Sequence, residues 1–262
     1  MMATLPLETA PYPGEGRGPG PDQSTLDPGL RRGTSYDASR ARLETYFDRT
    51  ARDAWERLTS DAPVSRIRAT VRAGRDRMRA TLLDWLPADM RGLRLLDAGC
   101  GTGALAVEAA RRGADVVAID VAAGLIAIAQ ERAPQDLGTG RIDWRVGDMA
   151  DPALGDFDHV VAMDSLIHYR RADIVAAVAA LAARTRRSLA FTVAPRTPAL
   201  ALMHQAGKLF PRKDRAPAIV PVGERGLRRA LAPLQADFRI GNSQCVSGGF
   251  YTSLALQLVR RG

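Results

Sequence analysis

Between residues 94 and 193 short apolar runs of β type alternate with helical stretches, and this alternation restricts the fold more than any other feature of the chain. Arg94–Leu96 reads as a buried strand, followed by a helix from about Gly103 to Arg112. Asp115–Ile119 and Leu125–Arg132 repeat the pair, and Ile142–Val146 is a third strand. His159–Met163 is a fourth, with its helix at Ala172–Arg184, and Leu189–Val193 is a fifth. Strands joined by helical crossovers pair in parallel, and the crossover helices cover both faces of the sheet. The rhythm stops there. An insert with Pro and Arg runs from Pro195 to about Pro221 and leads to a helix near Glu224–Leu231. Two strands near Phe238–Val246 and Phe250–Val259 then stand too close for a crossover and are predicted to pair as an antiparallel hairpin at the sheet edge. The expectation is an α/β fold: a doubly wound, seven-stranded, mostly parallel sheet ending in an antiparallel hairpin.

Upstream of this region, residues 1–38 are rich in Pro, Gly, Asp and Ser and are predicted to be a disordered tail. From Tyr46 the pattern is helical, with Tyr46, Phe47, Trp55 and Leu58 as large apolar residues among charges, and residues 39–90 are expected to form an N-terminal helical lid. Ile67, Val71, Met78, Leu82 and Trp85 make one apolar stripe at helical spacing, which marks core packing. Arg68, Arg72, Arg75 and Arg79 make a second stripe, read as a solvated face or as an attractor for an anionic substrate or lipid surface. The chain has 262 residues, 46% of them hydrophobic, enough for one core with a small lid. Its formal charge is +8, but only Lys208 and Lys213 are lysines. Together with abundant Ala, the Arg bias is what GC-rich coding produces, so the charge reads as basic surface and no nucleic-acid partner is expected. Cys100 and Cys245 form no CxxC pair, and His159, His168 and His204 are dispersed, so no metal site is expected. No secretory pattern opens the chain, and its longest apolar run, Ile174–Ala183, is far below the roughly 18 residues a spanning helix needs. A cytoplasmic protein is expected, with any membrane contact peripheral.

The strongest chemical signal is Asp97-Ala98-Gly99-Cys100-Gly101-Thr102-Gly103, which follows a strand and opens a helix. Glycines let backbone approach a ligand where a Cβ would collide. Gly99, Gly101 and Ala104 also satisfy the dinucleotide pattern, so a nicotinamide-dependent dehydrogenase stays open. Three features favour S-adenosylmethionine (SAM): Asp97 at the strand end can meet a cationic amino group, Gly103 adds a third glycine, and the terminal hairpin is unlike a dehydrogenase. Asp120, followed by Val121, ends the second strand, where its two oxygens can accept ribose hydroxyls or cap the next helix. Asp148 and Met149 follow the third strand and suit an adenine amino group and ring, although an Asp there also serves a turn. The fourth strand ends in Met163-Asp164-Ser165-Leu166-Ile167-His168-Tyr169, where His168 either orients an acceptor, removes its proton, or packs.

Tyr46-Phe47-Asp48-Arg49-Thr50-Ala51, residues 97–103, residues 163–169, Phe210-Pro211-Arg212-Lys213-Asp214-Arg215-Ala216-Pro217 and Gly248-Gly249-Phe250-Tyr251-Thr252-Ser253 together resemble the magnesium-protoporphyrin IX O-methyltransferases of photosynthetic bacteria. The resemblance covers roughly residues 40–260. It implies a class I methyltransferase, Rossmann-like, with a helical lid at 39–90, a SAM-binding core at 91–262 and a substrate-side insert at about 195–221. It implies cofactor contacts from Tyr46, Asp97, Gly99, Gly101, Gly103, Asp120, Val121, Asp148, Met149 and Asp164. His168 and Tyr46 are the implied catalytic pair, His168 beside the acceptor carboxylate and Tyr46 on a mobile lid. The implied reaction moves the SAM methyl to a propionate of magnesium protoporphyrin IX, giving the monomethyl ester in (bacterio)chlorophyll synthesis. The implied partners are the porphyrin-binding subunit of magnesium chelatase and, peripherally, the photosynthetic membrane. The alternative is a SAM-dependent O-methyltransferase of a quinone or other phenol.

Overall fold

The computed structural model describes residues 36–46, 66–196 and 219–262, with backbone only for Arg66, Ile67 and Arg68. Residues 1–35, the predicted helical stretch 47–65 with Trp55 and Leu58, and residues 197–218 with His204 and the Phe210–Pro217 motif lie outside the described residues. The elements are α1 (36–46), α2 (Arg66–Asp84), β1 (Arg94–Ala98), α3 (Ala104–Arg111), β2 (Asp115–Asp120), α4 (Ala123–Arg132), β3 (Arg141–Val146), β4 (Phe157–Ala162), α5 (Arg171–Ala183), β5 (Thr185–Val193), α6 (Glu224–Ala230), β6 (Phe238–Gly248) and β7 (Tyr251–Arg260).

The seven strands form one sheet in the order β3-β2-β1-β4-β5-β7-β6. β1 to β5 pair in parallel, while β7 runs antiparallel to both β5 and β6. Strand order reverses between β1 and β4, and a ligand crevice opens outside the carboxyl ends of strands at such a switch point. Each central strand is buried on both faces. Leu96, Val117, Val160 and Phe191 face one apolar layer; Leu95, Val116, Val161 and Ala190 face the other. This explains why the strands read as continuous apolar runs rather than alternating ones.

The sequence-level elements recur with shifted ends. β5 starts at Thr185, ahead of its apolar run, because Arg186 and Arg187 point outward and pair with Asp156 and Asp158. Of the predicted stripe, Met78 and Leu82 are fully buried, with Val71 and Trp85 against the same layer, while the Ile67 side chain lies outside the described residues. Residues 36–38, assigned to the tail by composition, belong to α1. Leu43 on that helix joins the apolar layer that holds Met149, Leu166 and Tyr169. The ends of the insert meet where Arg196 N–H donates to the Val222 carbonyl (2.9 Å), and Val220 N–H donates to Ile167 (2.8 Å). Among the described residues no helix is long and apolar enough to cross a membrane.

Candidate active site

The glycine loop leaves β1 and is tied at once to the end of β2. Gly99 and Cys100 N–H groups both donate to the Ile119 carbonyl (2.8 and 3.0 Å), and Gly101 N–H donates to Asp120 Oδ2 (2.9 Å). Gly101 has φ +55, the left-handed region, and a Cβ there would meet no atom of the described residues within 4 Å, so its free side faces the crevice. At Gly99 and Gly103 a Cβ would instead strike Ser165 and the Trp144 ring. Glycine at those two positions serves packing of the loop.

Asp97 is the most unusual group in the crevice. It is 2% exposed, and its Oδ2 has no hydrogen-bond partner among the described residues. Burial pushes its pKa up to about 7, against the pull of the Ala106 N–H in the first turn of α3, and the nearby Asp120 charge adds to the rise. An ionised carboxylate that is buried and half-satisfied is costly unless a cation arrives. An ammonium group fits this site: it supplies the missing donors and the opposite charge.

Asp120 presents both oxygens to backbone, accepting Gly101 N–H through Oδ2 and Ala122 N–H through Oδ1 (3.0 Å). It thus ties the glycine loop to the residue that precedes α4. Val121 beside it is half-buried. At the end of β3, Asp148 Oδ1 accepts the Ala150 N–H (2.8 Å) and the Tyr36 hydroxyl (2.9 Å), with Arg40 at 4.0 Å from Oδ2. Met149 is buried in the layer below. Tyr36 stacks on Tyr169, ring centroids 5.3 Å apart. Burial, each ring's nearness to the other and the Asp148 carboxylate keep the Tyr36 phenol protonated; burial and Asp148 do the same for Tyr169. Tyr46 is the half-buried last residue of the same helix, α1.

Across the switch point, β4 leads into Met163 and Asp164, followed by a short 3-10 turn at Leu166–His168. His168 is half-buried on that turn. Ser165 packs against Gly99, so the turn adjoins the glycine loop directly. Asp164, expected among the cofactor ligands, has its carboxylate taken up by protein. It accepts the Tyr251 hydroxyl (3.1 Å), Ser253 Oγ (3.4 Å) and Thr192 Oγ1 (3.3 Å), and lies 3.3 Å from Arg75 Nε. Among the described residues no cluster of three His, Cys, Asp or Glu is placed to hold a metal.

The carboxylates Asp97, Asp120 and Asp148 stand at three successive strand ends, an arrangement that favours a cationic nucleoside over a diphosphate. Two family models match the chain: "Methyltransferase domain" over residues 95–188 and "Magnesium-protoporphyrin IX methyltransferase C-terminus" over residues 162–260. The magnesium-protoporphyrin O-methyltransferase of Rhodobacter capsulatus is 51% identical over 227 residues, 86% of this chain and 98% of that protein. The chain belongs to the magnesium-protoporphyrin O-methyltransferase family. The protein of that name from Synechocystis sp. is 31% identical over 83% of this chain and 95% of its own length. The crystal structure of magnesium protoporphyrin IX methyltransferase from Synechocystis PCC 6803 with bound SAH matches with TM-score 0.73 at 30% identity, over 84% of this chain and 99% of that one. In this magnesium-protoporphyrin O-methyltransferase family member, the C-terminal family model begins at the last residue of β4 and ends at the last residue of β7.

Several site residues escape a reading of the sequence alone. Tyr36 and Arg40 reach Asp148 from a stretch whose composition suggests no structure up to residue 38. Arg75 turns from its stripe to Asp164, and Arg79 pairs with Asp76 on its own helix, so the stripe is not uniformly solvated. One signal was present: Gly74 in the middle of α2 needs a reason, since glycine weakens a helix interior by about 1 kcal/mol. The reason is Tyr251, whose ring lies 2.5 Å from where a Cβ on Gly74 would stand.

Proposed function

We propose that this chain transfers the methyl group of SAM to one propionate carboxylate of magnesium protoporphyrin IX, giving the monomethyl ester in (bacterio)chlorophyll synthesis. The observation that carries the reading is the extent of the family match: it continues past the widespread glycine loop through β4–β7, the half that faces the acceptor. The unpartnered Asp97 Oδ2 beside the open side of Gly101 supports SAM as the methyl donor, which brings an ammonium group and a sulfonium carrying the methyl.

In this reading Asp97 holds the ammonium, Asp120 takes the ribose hydroxyls, and Asp148 with Met149 and Val121 flanks the adenine. Gly99, Gly101 and Gly103 carry the backbone past the ligand. A carboxylate oxygen of the acceptor attacks the methyl carbon as the carbon–sulfur bond breaks, and the bonding pair leaves with sulfur as a neutral thioether. A propionate has a pKa near about 4.3 by analogy with Glu, so it is already ionised and needs no general base. His168 therefore orients the acceptor through a hydrogen bond, and Tyr46 with α1 closes the crevice to water. The described ends of the 195–221 insert meet beside Ile167, next to the turn that bears His168. The reading extends to two partners, the porphyrin-binding subunit of magnesium chelatase and the surface of the photosynthetic membrane, with the basic face of α2 meeting their negative charge. Incubation with methyl-labelled SAM and magnesium protoporphyrin IX tests the reading. Label is expected in one propionate ester; label passed only to a quinone or phenol would replace the substrate assignment.

A further inference from the structure

The cluster around Asp164 has no part in the chemistry above, yet it is the most heavily connected polar site at the crevice mouth. Asp164 has φ +54, and it is the one non-glycine among the described residues with a positive φ. Asp tolerates this left-handed conformation better than most residues, but it still costs energy and persists only where the surroundings over-determine it. Here they do. Its N–H donates to Thr192 Oγ1 of β5 (2.7 Å), and its carboxylate gathers Thr192 itself, Tyr251 and Ser253 of β7, and Arg75 of α2. The Asp164 side chain is only 10% exposed, while that of Arg75 is 58% exposed, so Arg75 covers the cluster from outside.

The Gly248–Ser253 motif explains how α2 is held there. Tyr251 packs under Gly74, Thr70 lies 2.7 Å from where a Cβ on Gly249 would stand, and Arg77 crosses Gly248. The hairpin turn is thus shaped to receive one face of α2, and the Tyr251 hydroxyl passes beyond that contact to Asp164. Burial and the Asp164 charge keep this phenol protonated, so it stays a donor. The residue after Asp164 is Ser165, which packs on Gly99; the turn bearing His168 follows directly.

We infer that Asp164 is a positioning residue: clamped by Arg75, Thr192, Tyr251 and Ser253, it fixes the Ser165–His168 turn against the glycine loop and so sets the acceptor's line of attack. It is not a ligand of the cofactor. The inference rests on the methyl-transfer reading above. A shift of the turn by about 1 Å can cost about 10²-fold in rate.

The test uses the full chain with Asp164→Ala, Asp164→Asn and Tyr251→Phe. SAH affinity and stoichiometry are read by calorimetry, and kcat and KM for magnesium protoporphyrin IX at saturating SAM. Asp164→Ala is expected to lose about 10²-fold in kcat with unchanged SAH affinity and full stoichiometry. Asp164→Asn tolerates the same backbone and keeps one acceptor oxygen, so it recovers most of that loss. Tyr251→Phe removes one hydrogen bond to a charged group, worth about tenfold, and acts on kcat alone. If SAH affinity falls in step with kcat, Asp164 is a cofactor ligand and the inference is overturned. It is equally overturned if kcat holds in folded Asp164→Ala, or in Tyr251→Phe should the Ala variant not fold. The SAH arm needs no turnover, so a wrong acceptor assignment would show separately, as an inactive wild type.

Discussion

On the β1–β3 side of the crevice, each group proposed to meet the cofactor sits within a few residues of a strand end: Asp97, the glycine loop, Asp120 and Asp148. On the β4–β7 side, the groups come from distant parts of the chain. Arg75 meets Asp164 across 89 positions, and Tyr251 meets it across 87. The first side is a local device, repeated at each βα turn, in which the backbone itself presents the binding surface. The second is a tertiary assembly that exists only when α2 and the terminal hairpin have docked. The two sides touch at Gly99 and Ser165. This division matches a reaction in which one substrate is common to many enzymes and the other is particular to this family.

Substitutions separate the sides, and the largest expected effect is on the local one. Gly101→Val places a branched side chain at φ +55 in the crevice, where no atom of the described residues stands within 4 Å of the Cβ position. It should abolish SAH binding while the fold survives, at a strain cost of about 1–2 kcal/mol. Calorimetry paired with thermal melting checks this; retained SAH affinity would mean that the ligand does not pass Gly101. On the tertiary side, His168→Ala should lower kcat about 10²-fold with SAH affinity intact. His168→Asn, which retains a donor, should recover part of that. Single-turnover rates across pH distinguish orientation from base catalysis. A rate that rises through the imidazole range, lost in the Ala variant and not recovered by Asn, would make His168 a base.

A smaller, graded effect follows from the raised pKa of Asp97, about 7 against an ordinary 3.8. A raised folded pKa means that folding favours the protonated carboxyl. Its contribution to the stability of the ligand-free chain is complete below pH about 4 and is lost as pH rises through about 7, by at most about 1.4 kcal/mol per unit. Binding of an ammonium group needs the ionised form, so SAH affinity should rise over the same interval, by at most about tenfold per unit. Asp97→Asn should flatten the stability trend. A wild-type affinity independent of pH between 5 and 8 would show that Asp97 does not meet the cation.

The same contrast governs how much of the molecule was legible in the sequence. The sheet, its hairpin and the strand-end acids could be read because each depends on local periodicity or on a loop beside its own strand. Asp97 was identifiable as an acid at a strand end; that Ala106 holds one side of it and leaves Oδ2 unpartnered was not. The strand places Asp164 at the crevice, but nothing local announces the four groups that converge on it. Tyr36 was hidden more deeply still. Its helix lies at the edge of a Pro- and Gly-rich stretch, and its reason for being ordered is a ring contact with Tyr169 and a hydrogen bond to Asp148, more than a hundred residues away.

Titration of SAH into the wild-type chain and into Asp97→Ala tests the central claim most directly, because it asks whether the buried, half-satisfied carboxylate is the cation site around which the crevice is built. The wild type should bind one equivalent in the micromolar range, with no detectable binding of NAD, and Asp97→Ala should show no SAH binding while melting cooperatively. Wild-type affinity in Asp97→Ala, or tight NAD binding in place of SAH, would contradict the account.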